Sequence, residues 1–574
     1  MLQRNRTPQH LPFLTLFTVI YLVAICTGLF FYFSKQSIPV KSITEVSQTS
    51  TANTPQRDQI ETKQDTEIKP DTENKQNQQD SQVNQKTEVK QEINNKQDSD
   101  QKNHLHNQLY VHDFPKLTAD VEKQKAVRDS FLFAWNSYKN YAWGYDFLKP
   151  NSKRGQNVYS GGLSITDSLD TLLIMGLDDE FKQARDWVAN SFSMSGSYSV
   201  FEINIRHIGG LISAYELTGD KMFLDKVTQL ADALLPVFNP QTGLFSNLVS
   251  IHRNGDKYQG SPHGGDSNYL ADVGTIQLEF YTLSMHTGNR KYAEVANRIY
   301  KTIFGKYPNQ GLYPEMLGVR DGSSRSSYKG IDCSSDSFYE YLIKLYLLTN
   351  GTQTKFLDKY LLTTKDIENK LLTTDGKHTW VARLQGETKR NSITHLVTFV
   401  AGMLAIGAVK KNPKIAEHMK IADELATTYY KLYTMQPSGL MPECVSFDGK
   451  GGVHSCKSEY LLRPETVESL FVLYRFTGLQ KYRDYAWEIY KSIEKSCRVE
   501  NGYTNVFGVD SPNPSHGDTM DSYFLAETFK YLYLIFSSSE LIPTAEYVFN
   551  TEAHPFKVWT KEQAEKMKDV IGFY

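Results

Sequence analysis

The 574-residue chain lacks several features that mark common classes of protein. Acidic and basic residues nearly cancel, at 65 and 63, which leaves a formal net charge of −2. A nucleic-acid binder would show a basic stripe or a high isoelectric point, so no nucleic-acid partner is expected. The five cysteines form no Cys-x-x-Cys pair and no Cys/His metal spacing, which argues against a structural zinc site.

The few cysteines still allow one disulfide. Cys26 lies in an apolar segment near the N-terminus, which leaves four cysteines for the folded part of the chain. Cys444 and Cys456 flank a short glycine-rich stretch that would close as a small loop in an oxidising compartment. The spacing permits this disulfide without requiring it, so the pair is a hypothesis.

Charge is absent from residues 11–33, which are predominantly apolar. At about 1.5 Å per residue this segment is long enough to cross a hydrocarbon core of roughly 30 Å. It exceeds the apolar stretch of a signal peptide, about 7–15 residues, and it ends in four aromatic residues, as an uncleaved anchor does. Arg4 and Arg6 precede it, so the positive-inside rule places residues 1–10 in the cytosol. The pattern predicts a single-pass type II membrane anchor.

Aromatic residues are absent from residues 34–109, although they make up 12% of the whole chain. Gln, Asn, Lys, Asp, Glu, Ser and Thr dominate this segment. Such a composition cannot bury enough apolar surface to offset the entropy of ordering the chain. The segment is therefore predicted to be a disordered lumenal stem that holds the following domain away from the membrane.

Residues 110–556 show helical patterning, in which a turn theme recurs around Thr218, Thr287, Thr349 and Thr477. At each threonine an aromatic-rich helix ends, a glycine-containing turn follows and a new helix opens. A repeat of about 64 residues holds two helices with their loops, so this region holds about seven helical hairpins. Seven hairpins closed into a ring would form an all-α (α/α)7 barrel, although an open solenoid fits the period equally well.

Carboxylates stand at the starts of several apolar helices. Glu202 and Arg206 are four residues apart and share one helix face, as do Asp336 and Glu340. Glu465 directly follows a proline that suits the first helical position. Further charged residues also have apolar or aromatic neighbours in the sequence: Glu443, Arg463, Glu468, Glu527 and Glu552. The helix macrodipole alone favours acids in a first turn, so no single segment is strong evidence for a site.

The apolar flanks of these acids predict that the carboxylates are buried or line a cavity. An unpaired carboxylate in such a place costs several kcal/mol. Four or five acids from different hairpins would therefore be hard to tolerate together without a cation. A hard divalent ion with oxygen ligands is the expected solution, and calcium is the usual one.

Nine motifs follow one another in order along this region. They are SITDSLDTLLIMGL, FEINIRHIGGLISAYELTGD, GTIQLEF, DSFYEYL, HLVTFVAGMLAIGA, GLMPE, YLLRPETVESLFVLYR, DSYFLAETFKYLYLIF and FNTEAHP. Through them the chain resembles the class I α-1,2-mannosidases, glycoside hydrolase family 47, over nearly all of residues 110–556. The short tail, single anchor and stem also match the layout of the Golgi and endoplasmic-reticulum members.

This resemblance implies an (α/α)7 barrel that hydrolyses terminal α-1,2-linked mannose of high-mannose N-glycans with inversion. The family's three essential acids match Glu202, Asp336 and Glu465. Glu465 would be the general base that activates water, and either Glu202 or Asp336 would be the general acid. An inverting pair needs roughly 6.5–9.5 Å between its carboxyls to admit that water, which suits acids on different inner helices.

The resemblance also implies a bound calcium ion, because Thr551 matches the family's calcium ligand through its hydroxyl and carbonyl oxygens. Calcium in this family touches sugar hydroxyls and so serves binding as well as structure. Matches to sugar-binding or supporting positions are Arg206, Glu340, His395, Glu443, Arg463, Glu468, Tyr523, Glu527 and Glu552. Two alternatives stay open: His395 as a core histidine, and Glu340 and Glu468 as acids that only hold the arginines in place.

The sequence departs from the family's pattern at three positions. Typical members carry a disulfide between positions that here read Thr398 and Tyr429, a loss that removes roughly 2–4 kcal/mol of stability. Two residues before Asp336, where endoplasmic-reticulum enzymes tend to have Arg and Golgi enzymes Leu, stands Ser334. The sequence therefore predicts neither the preferred mannose branch nor which of these two membranes carries the lumenal domain.

The missing bridge also fits a related branch, the degradation-enhancing mannosidase-like proteins, which trim glycans of misfolded proteins or escort them as lectins. Against that alternative, the chain retains the HLVTF and FNTEAHP segments and has no long extension after its last motif. Residues 557–574 are predicted to be a short C-terminal tail. Asn350 opens the sequon Asn-Gly-Thr and is a candidate for N-glycosylation in the lumen.

Overall fold

The computed structural model describes residues 109–110, 113–159, 161–255 and 257–572. The predicted cytosolic tail and anchor, and the stem apart from its last residue, lie outside the described residues. Among the helices that are described, none is long and apolar enough to cross a membrane.

Helices are the main regular structure of the described chain. In chain order they are α1 (Val121–Ala142), α2 (Leu163–Ile174), α3 (Asp178–Asn190), α4 (Val200–Glu202), α5 (Gly209–Thr218), α6 (Lys221–Leu234), α7 (Leu270–Gly274), α8 (Gln277–Thr287), α9 (Lys291–Lys306), α10 (Asp336–Leu348), α11 (Thr354–Asp366), α12 (Val400–Ile406), α13 (Ile415–Thr434), α14 (Glu465–Thr477), α15 (Gln480–Ser496), α16 (Phe529–Phe536) and α17 (Lys561–Met567). Three π-helical turns, at Ile203–Ile208, Ile367–Leu371 and Phe524–Thr528, and two short 3-10 turns, at Leu235–Val237 and Leu396–Phe399, adjoin them.

Within the described residues, fourteen of these helices pair into seven hairpins. The pairs are α2–α3, α5–α6, α8–α9, α10–α11, α12–α13, α14–α15 and α16 with α1. The first helix of each pair contacts the first helix of the next pair, and the π-turn Phe524–Thr528 before α16 contacts α2. The ring therefore closes as an (α/α)7 barrel, as predicted, and the open solenoid is excluded.

The inner and outer helices differ in how they are buried, and the sequence shows why. Inner helix α2, LSITDSLDTLLI, has all of its residues but one buried, and its two acids, Asp167 and Asp170, are ion-paired in the interior. Outer helices such as α6 and α9 are amphipathic and bury a single face against the inner ring. The inner helices therefore surround the centre of the barrel, where the chemistry is expected.

Glycine turns end three inner helices. Gly219, Gly288 and Gly478 have left-handed φ values of 72°, 70° and 67°. The threonine before each donates to the carbonyl four residues back, at 2.6, 2.7 and 2.7 Å. Thr349 donates to Leu345 in the same way, at 2.8 Å. The recurring turn theme is confirmed as the stop signal between an inner helix and the following outer helix.

Short strands occupy the loops. They are β1 (Phe147–Lys149), β2 (Arg154–Gln156), β3 (Gly196–Ser199), β4 (Leu248–Asn254), β5 (Lys257–His263), β6 (Ser267–Tyr269), β7 (Met316–Gly318), β8 (Tyr328–Lys329), β9 (Leu372–Thr374), β10 (Thr379–Val381), β11 (Arg383–Gln385), β12 (Thr388–Arg390), β13 (Ser392–Thr394), β14 (Cys444–Phe447), β15 (Val453–Lys457), β16 (Glu459–Tyr460), β17 (Arg498–Val499), β18 (Gly502–Tyr503), β19 (Val506–Phe507), β20 (Ser515–His516), β21 (Tyr547–Phe549) and β22 (Pro555–Lys557). All pair antiparallel, in sheets of two or three strands.

The predicted disulfide is present. Cys444 and Cys456 are bonded across the antiparallel pair β14–β15, with their Cα atoms 5.1 Å apart. At the position of the missing family bridge, Thr398 accepts a hydrogen bond from Thr466 at 2.9 Å. A hydrogen bond thus links the segment before α12 to α14, and Tyr429 is fully buried.

The hairpin β21–β22 places its turn among the inner helices. Asn550, Glu552, Ala553 and His554 of this turn are all buried. Their hydrogen-bond partners come from α2, from α8 and from the π-turn before α5, and α16 contributes a lysine. The turn that carries Thr551 is therefore fixed at the centre of the barrel.

The described part of the segment after residue 556 is folded onto the barrel. It carries α17, in which Ala564 and Met567 are buried. The side chain of Asn297 in α9 donates to the carbonyl of Val570 at 2.6 Å and accepts from the amide of Gly572 at 2.9 Å. This segment, predicted as a tail, thus lies along an outer helix.

Candidate active site

The three acids that match the family's essential positions lie at the starts of inner helices. Asp336 is the first residue of α10, Glu465 is the first residue of α14, and Glu202 ends the short α4 that leads into α5. The free amide groups of a helix N-terminus favour negative charge there. All three side chains keep partial exposure, so they face an accessible site rather than the packed core.

Arg206 gathers several acids around Glu202. Its Nε donates to Glu202 Oε2 at 2.6 Å, and its Nη1 lies 3.3 Å from Asp167 Oδ2. Nη1 also contacts Glu552 Oε1 and Ser522 Oγ, the latter at 3.1 Å. The π-turn Ile203–Ile208 presents Arg206 from an inner helix, and such turns are frequent at functional sites.

Glu465 is held by a histidine. His395 Nδ1 lies 2.6 Å from Glu465 Oε2, and His395 Nε2 lies 2.7 Å from the hydroxyl of Tyr433. Burial alone would raise the pKa of Glu465, but the hydrogen bond from His395 and the charges of His395 and Arg463 lower it below its usual value. His395 therefore contacts one of the three family-matched acids, and this contact favours the ionised form of Glu465.

Asp336 has the opposite electrostatic setting. Burial raises the pKa of Asp336 to about 8, and the negative charges of nearby acids add to this effect. These acids are Asp332, Glu340 and Glu465. Among the described residues, the compensating contact is the backbone amide of Ser337, which donates to Asp336 Oδ1 at 2.9 Å. Asp336 therefore keeps its proton at neutral pH, while Glu465 does not.

Glu340 and Glu468 converge on one buried lysine. Lys344 Nζ contacts Glu340 Oε1 and lies 3.9 Å from Glu468 Oε1. Burial and the charge of Glu340 raise the pKa of Glu468 to about 8. The ion-pair partner of both acids is Lys344. The structure therefore does not support the alternative in which Glu340 and Glu468 only hold the arginines in place.

A second arginine, Arg463, binds a glutamate through its Nε, as Arg206 does. Arg463 Nε lies 2.8 and 3.0 Å from the two carboxylate oxygens of Glu443. The ring of Tyr523 lies between the two arginines, 6.0 Å from the guanidinium of Arg463 and 5.8 Å from that of Arg206. Tyr523 thus joins the Arg206 cluster to the Arg463 pair on one surface.

Two further acids complete the group. Glu527 lies in the π-turn Phe524–Thr528, is buried, and accepts no hydrogen bond from the described residues. Burial raises its pKa, and the charges of Glu465 and Glu468 raise it further. Burial likewise raises the pKa of Glu552, against the charge of Arg206. The charge of each of these acids raises the pKa of a neighbouring acid, so the acids predicted for the site lie close together at the centre of the barrel.

Thr551 has the chemistry of a cation ligand. It lies in the central turn, and only its backbone amide is engaged, with the hydroxyl of Tyr341 at 3.4 Å. In the described part of the chain its hydroxyl and carbonyl oxygens accept no hydrogen bond, and no three His, Cys, Asp or Glu side chains group closely enough to hold a metal. Two neutral oxygens in the same turn as Glu552 fit a hard cation that keeps water ligands.

Three acids of the site were missed at the sequence level. Asp167 bridges Arg206 and Ser522, and burial with the charge of Glu202 raises the pKa of Asp272 to about 7. Asp521 accepts a hydrogen bond from Tyr523 at 3.1 Å. Asp167 and Asp521 lie inside or next to the quoted motifs, so a search for every acid in those motifs would have found them.

Asn350, the candidate glycosylation site, lies away from these acids at the end of α10. It is partly buried, and its side-chain amide donates to the carbonyl of Trp559 at 3.1 Å. A glycan on this nitrogen would have to coexist with that bond, so glycosylation stays a prediction.

Comparison with known proteins agrees with this geometry. The family described as Glycosyl hydrolase family 47 matches residues 130–558. A mannosyl-oligosaccharide 1,2-alpha-mannosidase of Arabidopsis thaliana is 39% identical over 461 residues, which cover 79% of this chain and 82% of that protein. The human mannosyl-oligosaccharide 1,2-alpha-mannosidase IB is 37% identical over 449 residues, 76% of this chain and 70% of that one.

Among solved structures, the alpha-1,2-mannosidase from Trichoderma reesei is similar to this fold. It superposes with a TM-score of 0.72 at 28% identity and covers 77% of this chain and all of that one.

Proposed function

The chain belongs to glycosyl hydrolase family 47, and from this premise we propose that it removes terminal α-1,2-linked mannose from high-mannose N-glycans. The observation that carries the proposal is the contrast between two acids at the starts of inner helices: Glu465 is held by His395 at 2.6 Å, whereas Asp336 accepts only from the amide of Ser337 among the described residues. Their pKa values are shifted in opposite directions, as a general base and a general acid require. Relatives at 37–39% identity carry the name of this activity.

The proposed reaction is a single displacement with inversion. The Glu465 carboxylate accepts a proton from water, and the oxygen of that water bonds to C1 of the terminal mannose. The bond from C1 to the glycosidic oxygen breaks, and Asp336 donates its proton to that oxygen. Mannose leaves as the β anomer, and the shortened glycan keeps the hydroxyl. His395 supports the step because it keeps Glu465 ionised.

Asp336 fits the donor role better than Glu202. Glu202 is bound to Arg206 at 2.6 Å, and protonation would sacrifice this partly buried ion pair. We therefore assign the Glu202 carboxylate to the stabilisation of positive charge at the reacting carbon, and Arg206 to holding that carboxylate in place. Arg463 with Glu443, and Tyr523 between the arginines, supply hydrogen-bonding and ring surfaces for the adjacent sugars.

A calcium ion is part of this proposal. Thr551 would hold it through its hydroxyl and carbonyl oxygens, and Glu552, the next residue in the same turn, would supply negative charge beside it. When bound, such an ion supplies positive charge and coordination positions for sugar hydroxyls. The fit rests on the hydroxyl and carbonyl oxygens of Thr551, which accept no hydrogen bond from the described residues. Burial raises the pKa values of Glu468, Glu527 and Glu552, and a cation in the site would favour their ionised forms.

We further propose that residues 11–33 anchor the chain as a type II protein of the Golgi or endoplasmic-reticulum membrane, with the barrel in the lumen. The support is the uncharged length of this segment, the preceding Arg4 and Arg6, and the Cys444–Cys456 disulfide, which suits an oxidising compartment. Alkaline carbonate should leave the chain in the membrane pellet, and protease should reach the barrel only after the vesicles are permeabilised. Release by carbonate would overturn the anchor.

The activity is tested with purified chain and a high-mannose glycan. Free mannose should appear until every terminal α-1,2 linkage is gone, and a glycan with only α-1,3 and α-1,6 termini should stay intact. Glu465→Gln should lower kcat by at least 10²-fold while glycan binding persists. Binding without release by the parent chain would instead favour a lectin-like escort.

The donor is identified with α-mannosyl fluoride, whose leaving group needs no proton. Asp336→Asn should lose glycan hydrolysis but retain fluoride release, whereas Glu202→Gln should impair both reactions. The reverse pattern would make Glu202 the donor.

A further inference from the structure

Beneath the acids of the site, five charged side chains form a row of alternating sign. Lys530 Nζ lies 2.7 Å from Asp170 Oδ1, and Asp170 Oδ2 lies 2.7 Å from His554 Nδ1. His554 Nε2 lies 3.2 Å from Asp167 Oδ1, and Asp167 Oδ2 lies 3.3 Å from Arg206 Nη1. The row therefore leads from the interior of the barrel to the arginine that holds Glu202.

The row is completely enclosed. The side chains of Lys530, Asp170, His554 and Asp167 have no exposed surface, and only Arg206 reaches the site. None of the first four can touch a substrate. Buried ion pairs of this kind cost several kcal/mol per ion in desolvation and are weak contributors to stability. Apolar side chains would fill the same space at less cost, so a different reason for these charges is needed.

His554 in this row carries a proton on both ring nitrogens. Each nitrogen faces a carboxylate oxygen, and a ring nitrogen without a proton would repel it. Burial lowers the pKa of His554, but the two aspartates raise it above the usual value overall. The order of charge from the interior to the site is thus positive, negative, positive, negative, positive.

The row ties together three separate elements. Asp167 and Asp170 belong to α2, Lys530 belongs to α16, and His554 belongs to the central turn of the β21–β22 hairpin. Lys530 also donates to the carbonyl of Ala553 at 2.7 Å. Ala553 has a left-handed φ of 59°, which is unfavourable for a residue with a side chain. The turn is therefore held in a strained shape by contacts with this row.

We propose that Asp167, Asp170, His554 and Lys530 are positioning residues of the active site, which act through Arg206 and through the turn that carries Thr551 and Glu552. The row fixes the guanidinium of Arg206 between Glu202 and Glu552, and it fixes the oxygens of Thr551 at the centre of the barrel. It sets both the turnover of the enzyme and its affinity for the cation. The inference rests on the proposed function for its catalytic part.

The test uses His554→Gln and Asp170→Asn, each of which removes one charge from the row. Ser522→Ala is a milder variant, because it removes only a hydroxyl group that contacts the row. Ser522 Oγ donates to Asp167 at 2.5 Å and accepts from Arg206 at 3.1 Å, so its loss loosens the row without stranding a charge. The row reaches the turn of Thr551 through Ala553 and His554. Removal of groups that orient metal ligands changes metal affinity or activity by about 10–100-fold. We expect losses of that size in kcat and in calcium affinity for His554→Gln and Asp170→Asn, and several-fold losses for Ser522→Ala.

Calcium affinity is measured by calorimetry with calcium chloride alone, and kcat and KM are measured per folded molecule. The matched control is Arg475→Met, which removes another buried cation, one that donates to the carbonyls of Leu534 and Leu541 at 3.1 Å. It should change the melting temperature and leave kcat and calcium affinity within twofold of the parent.

A purely structural row would give the same pattern in His554→Gln and Ser522→Ala as in the control: a shifted melting temperature with unchanged kcat and calcium affinity. That result would overturn the proposal. A parent chain that releases no mannose would instead refute the proposed function. The calcium titrations of the variants would still decide whether the row positions Thr551.

Discussion

At the scale of single residues, the catalytic proposal depends on one histidine. His395 contacts Glu465 on one side and Tyr433 on the other, and it is almost fully buried. A buried carboxylate would ordinarily hold its proton to higher pH, and His395 is the largest opposing influence on Glu465. A base that is buried yet ionised therefore requires this contact.

The pH profile of kcat/KM should be bell-shaped. Activity should fall as the pH rises past about 8, where Asp336 loses the proton it donates. It should fall at low pH only below the usual range of a glutamate, because the pKa of Glu465 is lowered. A profile that stays flat to pH 10 would contradict Asp336 as the donor.

His395→Asn should move the acid limb of that profile to higher pH, since Glu465 loses the hydrogen bond and charge that lower its pKa. The matched control is His418→Asn, which breaks another buried pair, between His418 Nε2 and Glu368 Oε1 at 2.9 Å, and should leave the profile unchanged. An unmoved acid limb in His395→Asn would remove this histidine from the mechanism.

Individual residues also show the limit of the sequence. The acids at helix starts could be predicted from the sequence, because each lies in a short motif among apolar or aromatic residues. The partners were not visible: Lys344 lies on the same helix as Glu340, yet its link to Glu468 depends on how the ring brings α10 and α14 together at its centre. Asp272 was missed because its pKa is set by burial and by Glu202, which lies 70 residues earlier in the chain.

At the scale of elements, the turn theme was predictable and the π-turns were not. Glycine after threonine ends a helix by local chemistry that any window of a few residues contains. A π-turn has no such signature, because the extra residue is accommodated by packing. Two of these turns, Ile203–Ile208 and Phe524–Thr528, carry Arg206 and Glu527 into the site. Their side-chain directions therefore could not be derived from helical periodicity.

The helix stops can be tested with two alanines. Gly219→Ala should lower the free energy of unfolding by about 1 kcal/mol, because an alanine is strained at a φ of 72° although nothing lies within 4 Å of its methyl group. Gly305→Ala, at an equally open helical position near the end of α9, should raise it by about 0.5 kcal/mol. Denaturant titration measures both, and equal effects of one sign would contradict the assignment of the turn.

The disulfide hairpin is the other element with a clear expectation. Replacing both Cys444 and Cys456 with serine should lower the free energy of unfolding by about 2–3 kcal/mol, because the bond closes a short loop across β14–β15. Reducing agent should have a similar effect on the parent and none on the double variant. An unchanged melting temperature in the double variant would show that the hairpin is held by its strands alone.

At the scale of the whole molecule, the sequence predicted seven hairpins, but closure depended on contacts that no period reveals. The first helix, α1, joins the last inner helix, α16, through Asp120, whose amide donates to the carbonyl of Phe536 at 2.8 Å. The β21–β22 turn then occupies the centre, where inner helices meet it from several sides. The role of this turn could be inferred only from the family resemblance, since its sequence does not differ from that of an ordinary turn.

Crowding of acids in one barrel gives the folded chain a pH-dependent stability. The pKa values of Asp336 and Glu468 are about 8 in the fold, well above about 4 in the unfolded chain. Between these values the folded chain binds more protons than the unfolded chain, so stability falls as the pH rises. In chelator, the melting temperature should therefore decrease from pH 5 to pH 8.

Calcium should oppose this decrease, because it binds the ionised site. Its addition should raise the melting temperature more at pH 8 than at pH 5, whereas magnesium, which dehydrates reluctantly, should do so less. An equal shift at both pH values would show that the ion binds elsewhere than among these acids.

The most direct measurement of the central claim is proton NMR of mannose at the moment of its release from an α-1,2-linked mannobiose. An inverting pair formed by Glu465 and Asp336 predicts that β-mannose appears first and then equilibrates with the α anomer. Initial release of α-mannose would contradict the direct attack of water at C1, and release of no mannose at all would contradict the hydrolase itself.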